Sequence, residues 1–173
     1  MSLSRKRGEY LLDASIALVV VAITLNVPTG DTRAFDAAGL ALAALAAFPL
    51  VVRRRAPLAV LVIVGAASAA LVWLGYLDGS APGLLVAFYS VAVSRPLADL
   101  RGARTGAAVA SLFLLHMFAL REAMAAGYPG APAFALFWAG AWLVGDRVRQ
   151  RRRIAELEER ASRTACEDEA PAG

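Results

Sequence analysis

Arginine falls on every second connection between apolar runs, and that alternation constrains this chain more than any other feature. Six apolar segments are read: Tyr10 to Val27, Ala37 to Val52, Pro57 to Leu77, Pro82 to Ser94, Thr105 to Leu120 and Ala131 to Gly145. Arg5, Lys6 and Arg7 precede the first. Arg53 to Arg55 join the second to the third, Arg95, Arg101 and Arg104 join the fourth to the fifth, and five arginines between Arg147 and Arg153 follow the sixth. The intervening connections hold little net charge: Arg33 with Asp31 and Asp36, Asp78 alone, and Arg121 with Glu122. Cytoplasmic loops of membrane proteins carry the Lys and Arg excess, so six crossings with both termini in the cytoplasm satisfy the pattern.

Composition agrees with an apolar solvent. Residues of the set AVILMFWYC make up 59% of the 173, and mean hydropathy is +0.59, above the usual soluble range. The expected fold is therefore an all-α membrane protein, a bundle of about six short transmembrane helices followed by a charged cytoplasmic helix. A bilayer core of about 30 Å asks for about 20 residues, and only the third segment reaches that without its flanks. The others need snorkelling arginine stems to make up the length. The first run lacks a small-x-small cleavage site and is read as a retained helix rather than a secretory signal. Expected boundaries are a basic N-terminus at 1–9, a six-helix domain at 10–146, a linker or coiled-coil helix at 147–164 and a disordered tail at 165–173. The expected location is the plasma membrane, multi-pass.

Titratable groups within apolar segments are the first functional suspects. Asp13, one turn into the first segment, reaches the interface or pairs with Arg7 or an arginine of a neighbouring helix. His116 is the only histidine; it either packs structurally or titrates near neutral pH as a sensor. Arg121 and Glu122 end the same segment and, with Tyr128, offer a polar mouth. Trp73 and Tyr76 fit an interfacial aromatic belt, Trp138 and Trp142 share one helix face, and Gly65, Gly106 and Gly140 suit close helix packing. Cys166 is the only cysteine, so no internal disulfide or paired-thiol metal site is expected. HExxH, GxSxG and phosphate-binding glycine motifs do not occur, and no catalytic residue, cofactor or metal is expected. The arginine clusters have a topological explanation, so nucleic acid is not an expected partner.

The closing stretch "GDRVRQRRRIAELEERASRTACEDEAPAG" is different in kind. Its residues are strong helix formers, with Glu156–Arg160 and Glu159–Arg163 spaced to pair. Ile154, Leu157, Ala161 and Thr164 follow a 3,4,3 spacing, the opening of a coiled-coil seam of fewer than two heptads.

Three stretches carry a family resemblance: "FPLVVRRRAPLAVLVIV" from Phe48, "YLDGSAPGLLVAFYSVAVSRP" from Tyr76 and "GDRVRQRRRIAELEERA" from Gly145. In their order and spacing the chain resembles the N-terminal membrane module of actinobacterial sensor histidine kinases, over about residues 5 to 161. The resemblance implies a sensory input module that biases a cytoplasmic helix within a homodimer, or a heterodimer with a related kinase, with the lipid bilayer as its other partner. It also implies a phosphorylated histidine and an ATP-binding domain beyond the linker, which "SRTACEDEAPAG" does not supply. The expectation is thus a non-catalytic module, truncated or free-standing, relaying a membrane or small-ligand signal. The alternatives are a small membrane transporter or channel component and, less favoured, a membrane-embedded enzyme.

Overall fold

The structure is a computed structural model that describes residues 3–26, 33–78, 81–94, 100–121 and 131–168. Every regular element among them is helical: α1 (Leu3–Asn26), α2 (Ala37–Leu45), a 3-10 turn (Phe48–Val52), α3 (Pro57–Trp73), α4 (Gly83–Ser94), α5 (Leu100–Ala119) and α6 (Ala131–Asp168).

Local chemistry explains where these elements start and stop. Asp36 caps α2, its carboxylate accepting from the Gly39 N–H at 2.9 Å, which satisfies a donor the first helical turn leaves open. Pro49 breaks the second apolar segment in two. Within a continuous helix its ring would meet the carbonyl four residues back and remove one bond, so the chain turns at Ala46 and Ala47 and resumes as the 3-10 turn. Pro57 opens α3 at its first position, where a missing N–H costs nothing. Gly75, at φ +76°, ends α3. Its N–H donates to the Val72 carbonyl and the Tyr76 N–H to that of Leu71, a Schellman closure that requires a left-handed residue.

The core gathers around α3. Ten of its 17 residues are buried, and it packs against α2, the 3-10 turn, α4 and α5. A helix apolar on all sides belongs at the centre of a bundle. Buried Ser68 accepts from the Ala81 N–H at 2.9 Å and so ties the start of α4 to the middle of α3. α1 turns Asp13, Ala17, Val20 and Thr24 inward at 4,3,4 spacing. α6 lies along α4, where Arg149 donates to the Ala92 carbonyl at 3.3 Å.

These lengths overturn the expected transmembrane bundle. Among the described residues no helix is long and apolar enough to cross a membrane. α3 rises about 25 Å at 1.5 Å per residue, short of a core of about 30 Å, and α2 and α4 are shorter still. Within the second and third apolar runs themselves the chain is not helical at 46–47 and at 74–76. α1, α5 and α6 are longer, but α1 includes Arg5, Lys6, Arg7, Glu9 and Asp13, α5 opens on Arg101 and Arg104, and α6 turns from apolar to charged midway. The multi-pass, plasma-membrane location and the membrane and transmembrane assignments that rested on six crossings fall with the bundle.

Tyr76, assigned to an interfacial aromatic belt, is inside instead, and Asp13 takes the other expected course, pairing with arginines of a neighbouring element rather than reaching an interface. Tyr76 is buried and donates its hydroxyl to Asp36 at 2.6 Å, and Phe35 stacks on its ring. Asp13 is buried, and its carboxylate accepts from Arg53 and Arg54, each at 2.8 Å. Those two arginines therefore answer a buried charge. Arg55 bonds the Tyr10 hydroxyl.

Candidate functional site: an aromatic cluster, an apolar groove and a projecting arm

His116 and Arg121, five residues apart in sequence, face different parts of the fold. On α5, Thr105, Leu112, His116 and Ala119 turn inward. The imidazole Nδ1 lies 2.9 Å from the Leu112 carbonyl oxygen, so Nδ1–H is the donor in the neutral ring. Burial holds the His116 pKa below its ordinary 6.5, against the smaller upward effect of that bond. The ring meets Trp138 of α6 edge-on at 6.0 Å. Trp138 also contacts Phe88 of α4 at 4.9 Å and Phe113 of α5 at 5.6 Å, and Trp142 contacts Phe88 at 5.4 Å. One aromatic cluster thus joins α4, α5 and α6 around a titratable ring.

Arg121 sits at the other side of α5. Its guanidinium lies 4.7 Å from the Phe118 ring centre and 5.1 Å from that of Trp73, and the two rings stack at 4.9 Å. Planar, weakly hydrated guanidinium is well suited to such a seat. The same two rings also line an apolar groove of about 410 Å³ between α3 and α5, with Ala66, Ala69 and Ala70 of α3 and Leu115 of α5, and Arg121 is not among its lining residues. Sequence reasoning singled out Arg121 and Trp73 separately and missed both their contact and the groove between α3 and α5. Its signal was the small-residue face of "GAASAALVW", which leaves a hollow when a parallel helix carries large side chains opposite. The polar mouth expected from Glu122 and Tyr128 lies outside the described residues.

A model of a domain of unknown function, DUF7134, matches residues 2–152. The chain belongs to the DUF7134 family. No curated protein and no solved structure matches it, and nothing in these comparisons links it to histidine kinases. The DUF7134 match takes in Asp13, His116, Arg121, the groove and the part of α6 that lies on α4. It ends two residues before Ile154.

Beyond that point α6 continues as an arm. Residues 150–163 are all exposed, with Ile154 at 56% and Leu157 at 62%, and Glu159 pairs with Arg163. Ala161 shares the exposed stretch; the side chain of Thr164 lies outside the described residues. Among the described residues no group of three or more His, Cys, Asp or Glu is placed to hold a metal ion.

Proposed function

We propose that the protein is a sensory input module of a dimeric signalling assembly, of the kind sensor histidine kinases carry, without a membrane crossing. A change in the helical bundle is passed along α6 to a seam formed by Ile154, Leu157 and Ala161 with a second copy or a related kinase. In this reading the chain itself carries no catalytic group.

One observation carries it: α6 is a single unbroken helix of 38 residues, about 57 Å long, with one half held in the bundle and the other projecting. Trp138 and Gly145 lie against α4, so a shift of α6 on α4 moves the arm as a rod. On the arm, Ile154 and Leu157 are exposed apolar residues at a/d spacing within a charged sequence, the arrangement that a facing helix covers. The outward rows of α1 and α6, such as Leu11 and Leu18 or Leu136 and Phe137, suit lipid contact at a surface.

Sedimentation equilibrium of the full chain tests the seam. The wild type should dimerise, and Leu157→Glu should weaken the dimer at least about tenfold, as expected when a charge enters a d position. A wild type that stays monomeric, or a dimer indifferent to Leu157→Glu, removes the proposal.

A further inference from the structure

Arginine-rich stretches that are far apart in sequence meet at one end of the bundle. Arg55 lies over the Tyr10 ring, and Asp13 accepts from Arg53 and Arg54, so α1, which opens with Arg5, Lys6 and Arg7, starts beside the head of α3. α3 and α5 run side by side in the same sense, Gly65 meeting Leu112 and Trp73 meeting Phe118, which sets exposed Arg104 level with Pro57. α4 begins at the middle of α3, where Ser68 holds the Ala81 N–H, and only the half of α3 toward Pro57 is long enough to accompany its 12 residues. α6 follows α4 in the same sense, Trp138 on Phe88 and Gly145 on Ala92, and so brings exposed Arg147 to that end as well. The opposite end is balanced: among the described residues, Arg33 and Arg121 stand there with Asp36 and Asp78.

We propose that this basic pole docks on the anionic phospholipid headgroups of a membrane surface, its arginines meeting phosphates while the apolar residues just behind them enter the acyl boundary. Charge selects the surface. A guanidinium matches phosphate oxygens with paired N–H donors, and each basic residue near an anionic leaflet strengthens partitioning about fivefold. The neighbouring side chains select lipid over nucleic acid. Leu11 and Leu12 follow Tyr10 on α1, Leu143 and Val144 lie one turn before Arg147 on α6, and all four are exposed, Leu11 at 69% and Leu143 at 63%. A nucleic acid would leave those side chains in water, whereas the headgroup boundary covers them. Docking at an interface asks no helix to cross, in keeping with the helix lengths. The inference rests on the lipid-contact part of the input-module reading and not on the Leu157 seam, so vesicle binding and dimerisation can fail separately.

Co-sedimentation of the full chain with phosphatidylcholine vesicles, and with vesicles of phosphatidylcholine and phosphatidylglycerol in equal parts, is the test. Partitioning should be at least about a hundredfold stronger on the anionic vesicles and should fall as salt is raised. Arg104→Gln combined with Arg147→Gln should weaken it about twentyfold, while Arg163→Gln, out on the arm, should change it less than about twofold. Leu11→Ser combined with Leu143→Ser should weaken binding to both kinds of vesicle by at least about tenfold. Every position changed is exposed, so the core packing is left alone. Equal partitioning into neutral and anionic vesicles, a loss in Arg163→Gln as large as in the pole variant, or unchanged anionic binding in the leucine variant overturns the proposal. So does a DNA duplex that displaces the protein from anionic vesicles at equal phosphate concentration, which would make the pole a nucleic-acid surface.

Discussion

Gly145 of α6 meets Ala92 of α4 so closely that a methyl group added at Gly145 would lie 2.6 Å from the Ala92 Cβ and 3.1 Å from the Tyr89 carbonyl oxygen. Five residues earlier in the same helix, Gly140 is exposed, and a methyl there meets nothing within 4 Å. The two alanine substitutions should therefore have opposite signs. Gly140→Ala should stabilise by about 0.5–1 kcal/mol, the helix-propensity difference alone. Gly145→Ala gains the same propensity but must push α6 off α4, and overpacking of this kind costs about 1–3 kcal/mol. Its net effect should be destabilising. Urea denaturation of both variants beside the wild type measures the contrast, and Gly145→Ala matching Gly140→Ala would show that α6 does not seat on α4 as described.

Asp13 supplies a second prediction. Its carboxylate is 2% exposed, Arg53 12% and Arg54 47%. Removing one partner of a buried pair strands the other charge, at about 3–5 kcal/mol for full burial; the exposure of Arg54 brings the expected cost of Asp13→Asn to about 2–4 kcal/mol. Replacing the pair together, as Asp13→Leu with Arg53→Met, should recover most of that loss, since buried ion pairs often gain little over apolar packing. Thermal melts of the single and double variants decide it: a double variant no more stable than Asp13→Asn would mean the ion pair itself holds α1 on the 3-10 turn.

Much of this was open to sequence reasoning, and the misreadings share one cause. Helix starts are written locally: Asp36 before Ala37 and Pro57 at the head of α3 are caps that depend on neighbours two or three residues away. The length of each helix is not local in the same way. Pro49 and Gly75 cut apolar runs that hydropathy counts as continuous, and the shortened helices no longer reach across a bilayer. Arg53 and Arg54 invited a topological explanation because their partner, Asp13, is about forty residues distant. The groove is further still from the sequence, since Arg121 acquires its seat only when α5 brings Phe118 against Trp73.

Asp36 gives a prediction in acid. The Tyr76 hydroxyl, then the Gly39 N–H and the Arg33 guanidinium, hold its carboxyl down from 3.8 to about 2. A depressed folded pKa means that the unfolded chain takes up the proton first, so this stabilisation is complete above about pH 4 and is lost as pH falls toward 2. The stability difference between wild type and Asp36→Asn should be level from neutral pH to about 4 and shrink below it. Tyr76→Phe removes the largest cause, so the Asp36 carboxyl should titrate higher in that variant by NMR. An unchanged Asp36 titration would mean that the Tyr76 bond contributes nothing to the cap.

His116 titrates in the opposite setting. Its partners among the described residues are the Leu112 carbonyl and the edge of Trp138, and burial holds its pKa below 6.5. A lowered folded pKa means that the unfolded chain binds the proton more readily. Stability from the neutral ring is complete above 6.5 and is lost as pH falls from there to the folded pKa, with a slope of at most about 1.4 kcal/mol per pH unit for one proton. As the chain has one histidine, His116→Leu should flatten the dependence of urea stability between pH 7 and 5 while leaving the acid step of Asp36 in place. Protonation would also set a charge beside Trp138, whose ring links α5 to α4 and to the helix that becomes the arm. Tryptophan emission of the folded wild type should shift around the lowered folded pKa, at and below the acid end of the interval over which stability falls, and His116→Leu should abolish the shift. A shift that survives in His116→Leu would place the titrating group elsewhere and leave the aromatic cluster as packing alone.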